Sequence, residues 1–357
     1  VWLVTRYDDV RALLNDPRLS LNKATASSSG EHGASMPAEL DAHLQNSDPP
    51  DHTRLRRLVS KAFTPRGIEG LRPLVERRVD DLVARLEAGE STDLIQAVAN
   101  PLALAVICDV LGIDEGDRRD FRRWTDALRS PEPDAALDSR QALKQMYGFL
   151  SELINRKRAD DPGDDLLSQM VAARDEEDRL TEAELVAMAF LLLFAGYDNS
   201  ANLIGSAMLA LLTHPQVLRA LRAGTVSMDQ VLDETLRWET PSMLASRRFA
   251  RERIDFGGQV IAPGDRVWLS LVSANRDAAQ FAQPHEFQAT RSGNGHLAFG
   301  HGLHYCVGAA LARMEASVAI HALLRSLPEI RLACAASELR WTSSFRTRGL
   351  VALPVAW

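Results

Sequence analysis

Apolar and polar residues alternate at two different periods along the chain, and the change of period outlines its architecture. Helical spacing dominates. From about Arg66 to Leu128 it is carried by positions such as Leu71, Leu74, Val75, Val79, Leu82, Val83 and Leu86, which predict packed scaffold helices. A further helix is expected over about Leu137–Arg158, between the breaks at Ser130–Asp134 and Asp160–Asp165, both rich in Pro, Asp or Gly. Thr181-Glu182-Ala183-Glu184 reads as a capping box, and no proline follows it until Pro215. One helix from Glu182 to about Thr213 would be roughly 48 Å long. Ser227-Met228-Asp229-Gln230 opens another helix, and a last one is expected over Val307–Leu324.

The period falls to two after Pro241. Ile254-Asp255-Phe256, Val260-Ile261 and Val267-Trp268-Leu269, with a turn at Pro263-Gly264, predict a small sheet. Trp2–Thr5 reads as a strand leading into the helix-like Asp8–Leu14, and Gly349–Val355 as a closing strand beyond a hairpin tip at Phe345. Leu19–Pro50 is a long loop, rich in Ser, Ala, Gly and Asn around Ser27–Gly30. Such a loop is either a lid or binding loop or a mobile surface excursion. The sum is a mainly helical chain with small β-sheets.

Three stretches break these patterns chemically. Asp48-Pro49-Pro50-Asp51 starts a helix at about His52. Its periodicity puts His52, Arg56, Val59 and Phe63 on one face and Arg54, Arg57 and Lys61 opposite. A His and an Arg beside Val and Phe suit an anion over that face, or a partly buried ion pair with Asp48 or Asp51. The opposite basic face is an ordinary solvated surface or a docking patch for an acidic partner. In the middle of the long helix, Ala195-Gly196-Tyr197-Asp198-Asn199-Ser200 places Gly and polar residues where burial makes them costly. The third stretch is Phe299-Gly300-His301-Gly302-Leu303-His304-Tyr305-Cys306-Val307-Gly308. A thiol in such a Gly-rich bend, just ahead of a helix, has its thiolate stabilised by backbone N–H groups and the helix dipole. With no second Cys nearby, a structural zinc site is disfavoured, whereas a lone thiolate suits haem iron. A solitary Cys buried in a tight turn is the plainer alternative.

Composition narrows the classes. A chain of 357 residues with 46% hydrophobic content can bury a large core. The net charge of −7 argues against general nucleic-acid binding. Three cysteines, Cys108, Cys306 and Cys334, are a sparse, odd set that suits a reducing cytoplasm better than a disulfide framework. No apolar run is long enough for a membrane span. The chain begins at Val1 inside a strand-like segment, so residues preceding it are expected.

Phe299-x-x-Gly302-x-His304-x-Cys306-x-Gly308 resembles the haem-ligand loop of the cytochrome P-450 monooxygenases at every signature position. Three further motifs follow in the family's order. Asp48-Pro49-Pro50-x-His52-x-x-x-Arg56 resembles a propionate-binding helix, Ala195-Gly196-x-Asp198 the oxygen-binding groove, and Glu234-x-x-Arg237, with Arg291, a structural ion network. The resemblance covers nearly the whole chain. It implies a single P-450-type domain over 1–357, with haem b between the long central helix and the Cys loop. Cys306 would be the axial ligand, and His304, His52, Arg56 and Arg248 propionate partners. Phe299, Gly300, Gly308, Ala195 and Gly196 would line the cofactor. Asp198, Asn199 and Ser200 would serve proton delivery, and Ser242, Met243, Leu244 and Phe345 would meet the substrate.

One departure stands out: Asn199 lies where the family usually has Thr, whose hydroxyl takes part in proton delivery. An amide does not relay a proton as a hydroxyl does. Delivery would then use water, a substrate hydroxyl or Ser200. The implied activity is hydroxylation or epoxidation of a small-molecule secondary metabolite, in the style of actinobacterial macrolide tailoring. It would use O2 and electrons from a ferredoxin and its NAD(P)H-dependent reductase, in the cytoplasm, without membrane or nucleic acid. Asn199 keeps a second option open, oxidative aryl or phenol coupling without oxygen insertion. A haem-binding protein without turnover is a third.

Overall fold

The computed structural model describes the chain except for residues 27–36, 62, 87–90, 130–134, 160–162 and 173–179. The loop centre at Ser27–Gly30 and the breaks at Ser130–Asp134 and Asp160–Pro162 therefore lie outside the described residues. The chain forms two compact units. The first comprises Val1–Gly30, Glu69–Leu102 and Asp198–Trp357, the second Glu31–Ile68 and Ala103–Tyr197. Three helices, Pro65–Val83, Asn100–Leu111 and Glu182–Thr213, carry the chain from one unit into the other. Among the described residues no helix is long and apolar enough to cross a membrane.

In the first unit the short strands build three small sheets. Strands β1 (Trp2–Val4), β2 (Leu19–Ser20), β4 (Arg248–Ala250) and β7 (Arg266–Leu269) form one of them, in the order β1-β7-β4-β2. β1 runs parallel to β7 with Leu3 opposite Trp268, and β4 pairs antiparallel with both β7 and β2. β5 (Ile254–Phe256) and β6 (Gln259–Ile261) make a hairpin whose turn uses Gly257 and Gly258, both at positive φ, as a two-residue hairpin turn requires. β3 (Thr92–Asp93), β9 (Pro354–Ala356) and β8 (Arg331–Leu332) form the third sheet, with β9 central. The first sheet buries Val267 and Leu269 against Tyr7, Val10, Leu13 and Phe281, an apolar cluster that excludes water from the sheet's inner face.

Local signals place most helices. Thr181 and Glu184 exchange backbone–side-chain hydrogen bonds at 2.8 and 3.2 Å, and helix Glu182–Thr213 runs unbroken from them. Ser227 and Gln230 do the same for helix Met228–Trp238. The helix after the Cys loop spans Ala309–Ser326, two residues later than its expected start, because Gly308 takes the N-cap position. In the second unit, helix Asp51–Ser60 buries Leu55 and Leu58 together with His52 and Val59. Phe63 lies beyond its end, so the buried stripe is wider than the His52–Arg56–Val59–Phe63 face suggests.

Glu234 and Arg237 are completely buried one turn apart. Arg237 grips the Glu234 carboxylate with two hydrogen bonds of 2.8 Å and donates to the carbonyls of Asn275, Pro284 and Glu286 at 2.8–3.0 Å. Arg291 reaches both carboxylate oxygens at 3.2 Å. Gln288 N and Asn294 Nδ2 add donors at 2.8 and 3.0 Å. Truncating one member of a buried ion network strands the other charges, at a cost of about 3–5 kcal/mol. Arg237→Ala should therefore lower the denaturant midpoint by an equivalent amount, whereas a loss under about 1 kcal/mol would show the network to be dispensable.

Candidate functional site

The Cys loop is shaped by backbone hydrogen bonds and two glycines. Gly300 N donates to Leu297 O at 2.8 Å, Tyr305 N to Gly302 O at 3.0 Å and Cys306 N to Phe299 O at 2.9 Å. Gly300 and Gly302 have φ of 75° and 70°, a region that favours glycine. A Cβ on Gly302 would also collide with the Asn15 side chain. The result is a one-turn 3-10 segment, Gly302–His304, followed by Cys306 three residues ahead of helix Ala309–Ser326. The thiol is exposed and in no disulfide, and its neighbours Leu303 and Tyr305 are exposed as well.

Phe299 is held from behind. The Arg313 guanidinium stacks 4.9 Å above its ring, and His296 packs against it at 5.9 Å. Both basic groups meet Asp233, a residue of helix Met228–Trp238. Burial pushes the Asp233 carboxyl up, but the His296 hydrogen bond and the Arg313 charge outweigh it and hold the acid below its usual range. Two helices thus fix the side chain of Phe299, the residue whose backbone carbonyl accepts the Cys306 N–H.

The other expected site residues fall as follows. Arg248 is buried at the start of β4, donating to Ser246 O at 2.9 Å and Leu14 O at 3.4 Å. His304 ends the 3-10 segment. Ser242, Met243 and Leu244 are half-buried. Ser242 bridges to Thr347, and Met243 N donates to Arg346 O at 2.8 Å, so this segment is joined to the hairpin that carries Phe345. Phe345 is exposed and sets its edge on Trp268, centroids 6.1 Å apart. In the second unit, His52 is fully buried, and burial followed by the charge of Arg56 pushes its pKa down. Arg54, from the basic face, ion-pairs with Glu184, so that face presents Arg57 and Lys61 outward instead.

On helix Glu182–Thr213, Ala195 is exposed and Asp198 and Asn199 are half-buried. Gly196 turns its missing side chain toward Ile107, where a Cβ would stand 2.9 Å from Cδ1. Part of the reason for glycine there is close packing on helix Asn100–Leu111. Ser200 is buried, and its hydroxyl lies near enough to Glu315 of helix Ala309–Ser326 to favour that group's charged form. Glu315 is 2% exposed, and its Oε1 has no hydrogen-bond partner among the described residues. Burial raises its pKa to about 8, against a lowering contribution from Ser200, so the group is a neutral acid at pH 7. Sequence reasoning missed Glu315, yet a signal existed: it follows Leu311 and precedes Ala319 by four residues each, on the buried face.

Among the described residues no cluster of three His, Cys, Asp or Glu side chains could hold a metal. The exposed Cys306 thiol, between Tyr305 and Val307, suits a metal that brings its remaining ligands in an apolar macrocycle, as haem iron does. Donor set and cradle both fit that group.

Comparison with known proteins agrees. The Cytochrome P450 family model matches residues 120–225 and 226–328. The chain is 45% identical to Cytochrome P450 107B1 of Saccharopolyspora erythraea, over 99% of this chain and 88% of that one. It is 46% identical to the Cytochrome P450 monooxygenase PikC of Streptomyces venezuelae, over 100% and 85%. The tirandamycin C-bound P450 monooxygenase TamI superposes with a TM-score of 0.91 at 43% identity, covering 100% of this chain and 89% of that chain. The chain belongs to the cytochrome P450 family, and it is an enzyme of the monooxygenase class.

The Glu315 pKa carries a sign that experiment can read. The folded protein holds a proton up to about pH 8 that an unfolded glutamic acid, at 4.5, releases. Stability therefore declines between those values as pH rises, by at most about 1.4 kcal/mol per unit. Glu315→Gln should flatten the denaturant midpoint between about pH 5.5 and about pH 7.5, and an unchanged slope would contradict the assignment.

Proposed function

We propose that the protein is a haem-thiolate monooxygenase that inserts one oxygen atom from O2 into a small-molecule secondary metabolite, by hydroxylation or epoxidation. The carrying observation is the exposed Cys306 thiol in its glycine-shaped loop, backed by Phe299. Cys306 would ligate the iron. His304 and Arg248 would take haem propionates, and in the second unit His52 and Arg56 carry the family's other propionate motif. When bound, haem b supplies the iron at which O2 is reduced and the O–O bond cleaved.

Proton handling falls to this chain's own side chains. Glu315, which burial holds toward its protonated form, faces the Ser200 hydroxyl; Ser200 would donate to it, and because a hydroxyl also accepts, a proton could pass between them. Ser200 follows Asn199 by one residue, so this pair supplies the acid–hydroxyl function that an amide at 199 does not. Asp198 and Asn199 would orient water beside it. The Ser200–Glu315 pair therefore favours oxygen insertion over coupling. A relative named for polyketide biosynthesis, 37% identical to this chain, and the tirandamycin C-bound monooxygenase structure support a polyketide-like substrate class.

Electrons would come singly from a ferredoxin reduced by an NAD(P)H-dependent reductase. Arg57 and Lys61, exposed on a chain of net charge −7, are suited to an acidic carrier. Free cysteines throughout the described residues support a cytoplasmic setting.

Cys306→Ser should abolish the red-shifted Soret band of the ferrous–carbon monoxide complex while leaving the far-ultraviolet circular dichroism unchanged. An unaltered band would remove Cys306 as ligand.

A further inference from the structure

Behind the Cys loop lies a cluster of polar side chains that no step of the proposed chemistry uses. Arg313, on helix Ala309–Ser326, pairs with Asp233 of helix Met228–Trp238 and lays its guanidinium 4.9 Å over the Phe299 ring. His296 completes the cluster. Its Nε2 faces Asp233 Oδ1 at 3.5 Å, and its ring packs 5.9 Å from that of Phe299. Only 6% of the His296 side chain is exposed, against 30% for Arg313. Ala298 N donates to His296 Nδ1 at 3.3 Å. A backbone N–H only donates, so the neutral imidazole keeps its lone pair on Nδ1 and carries its hydrogen on Nε2, toward the carboxylate.

Phe299 passes this hold to the cysteine by two routes. Its ring meets Tyr305, the residue before Cys306, with centroids 6.2 Å apart. Its carbonyl accepts the Cys306 N–H at 2.9 Å. The backbone on either side is pinned as well, by Ala298 N on His296 and by Gly300 N on Leu297 O at 2.8 Å. The aromatic face attracts the guanidinium through its quadrupole, and the ion pair with Asp233 keeps that guanidinium from swinging into solvent. A lysine at 313 would keep the charge but not the planar face that stacks.

We infer that Arg313, anchored by Asp233 beside His296, is a positioning residue for the metal ligand: it clamps Phe299, and through Phe299 it holds Cys306 in the place from which the thiolate binds iron. This role rests on the haem-thiolate reading of Cys306. Arg313 acts on the ligand only through the Phe299 ring, so its effect vanishes where that ring is absent.

The test uses the haem-loaded enzyme and two readouts: hydrogen exchange at the Cys306 amide, and the rate at which the red-shifted Soret band of the ferrous–carbon monoxide complex is lost. Arg313→Met removes the guanidinium and keeps an unbranched side chain. It should speed both processes about 5-fold or more, and Arg313→Lys should fall between it and the unmodified enzyme. Asp233→Asn frees the guanidinium without removing it and should give a smaller change of the same sign, which keeps the test open if Arg313→Met does not fold. Adding Arg313→Met to Phe299→Leu should change neither readout further. Unchanged exchange and band loss in both Arg313→Met and Asp233→Asn would overturn the inference, as would an undiminished Arg313→Met effect in the Phe299→Leu background. Exchange accelerated equally at Val267 and Leu269, with the band as durable as before, would also overturn it, because that pattern is general loss of stability. Failure of the haem-thiolate reading shows separately, as a missing ferrous–carbon monoxide band in the unmodified enzyme, and amide exchange still reads the clamp there.

Discussion

The Glu234 carboxylate sits where water does not reach, and the path of the chain toward the thiolate depends on it. A charge so buried persists only when its lone pairs are filled with good geometry. Arg237, Arg291, Gln288 N and Asn294 fill them. The two guanidiniums then spend their remaining donors on carbonyls between Asn275 and Glu286. That pull holds Gln283 at a φ of 48°, which a residue with a side chain rarely adopts. Asn275 continues the chain of contacts by accepting from Leu297 N at 2.7 Å, two residues before Phe299. The network acts at a distance from the chemistry, by fixing where the Cys loop begins.

From there, control passes to groups that touch the loop. Gly302 allows the close approach of Asn15, and Arg313, His296 and Asp233 brace the Phe299 ring. The same helix Ala309–Ser326 that carries Arg313 also carries Glu315, so one rigid element serves both the thiolate loop and Ser200. In the proposed reading, the Ser200 hydroxyl and the buried Glu315 acid would serve proton delivery in a chain whose residue 199 is an amide.

Local signals were legible in the sequence. The Thr181–Glu184 capping box, the helix start at Ser227–Gln230, the unbroken helix Glu182–Thr213 and the Cys loop depend on residues a few positions apart, and their local spacing marks them. Effects that depend on distant partners were not. The Gly196 contact with Ile107 joins residues far apart in the chain, and the Arg54 pairing with Glu184 removes a charge from a face that periodicity assigns to solvent. Glu315 escaped notice because a charged residue in a helix is ordinarily read as surface, although its spacing places it on the buried side. The loop around Ser27–Gly30 falls outside the described residues.

The central claim is that this chain inserts oxygen and does not merely withdraw hydrogen atoms. The most direct measurement is product mass after turnover under isotopically labelled dioxygen, with a surrogate ferredoxin and reductase and a ligand that shifts the Soret band. The account predicts one labelled oxygen atom in the product. A product lacking two hydrogens and carrying no label would contradict it, and would show that the Ser200–Glu315 pair does not serve the place of a hydroxyl at residue 199.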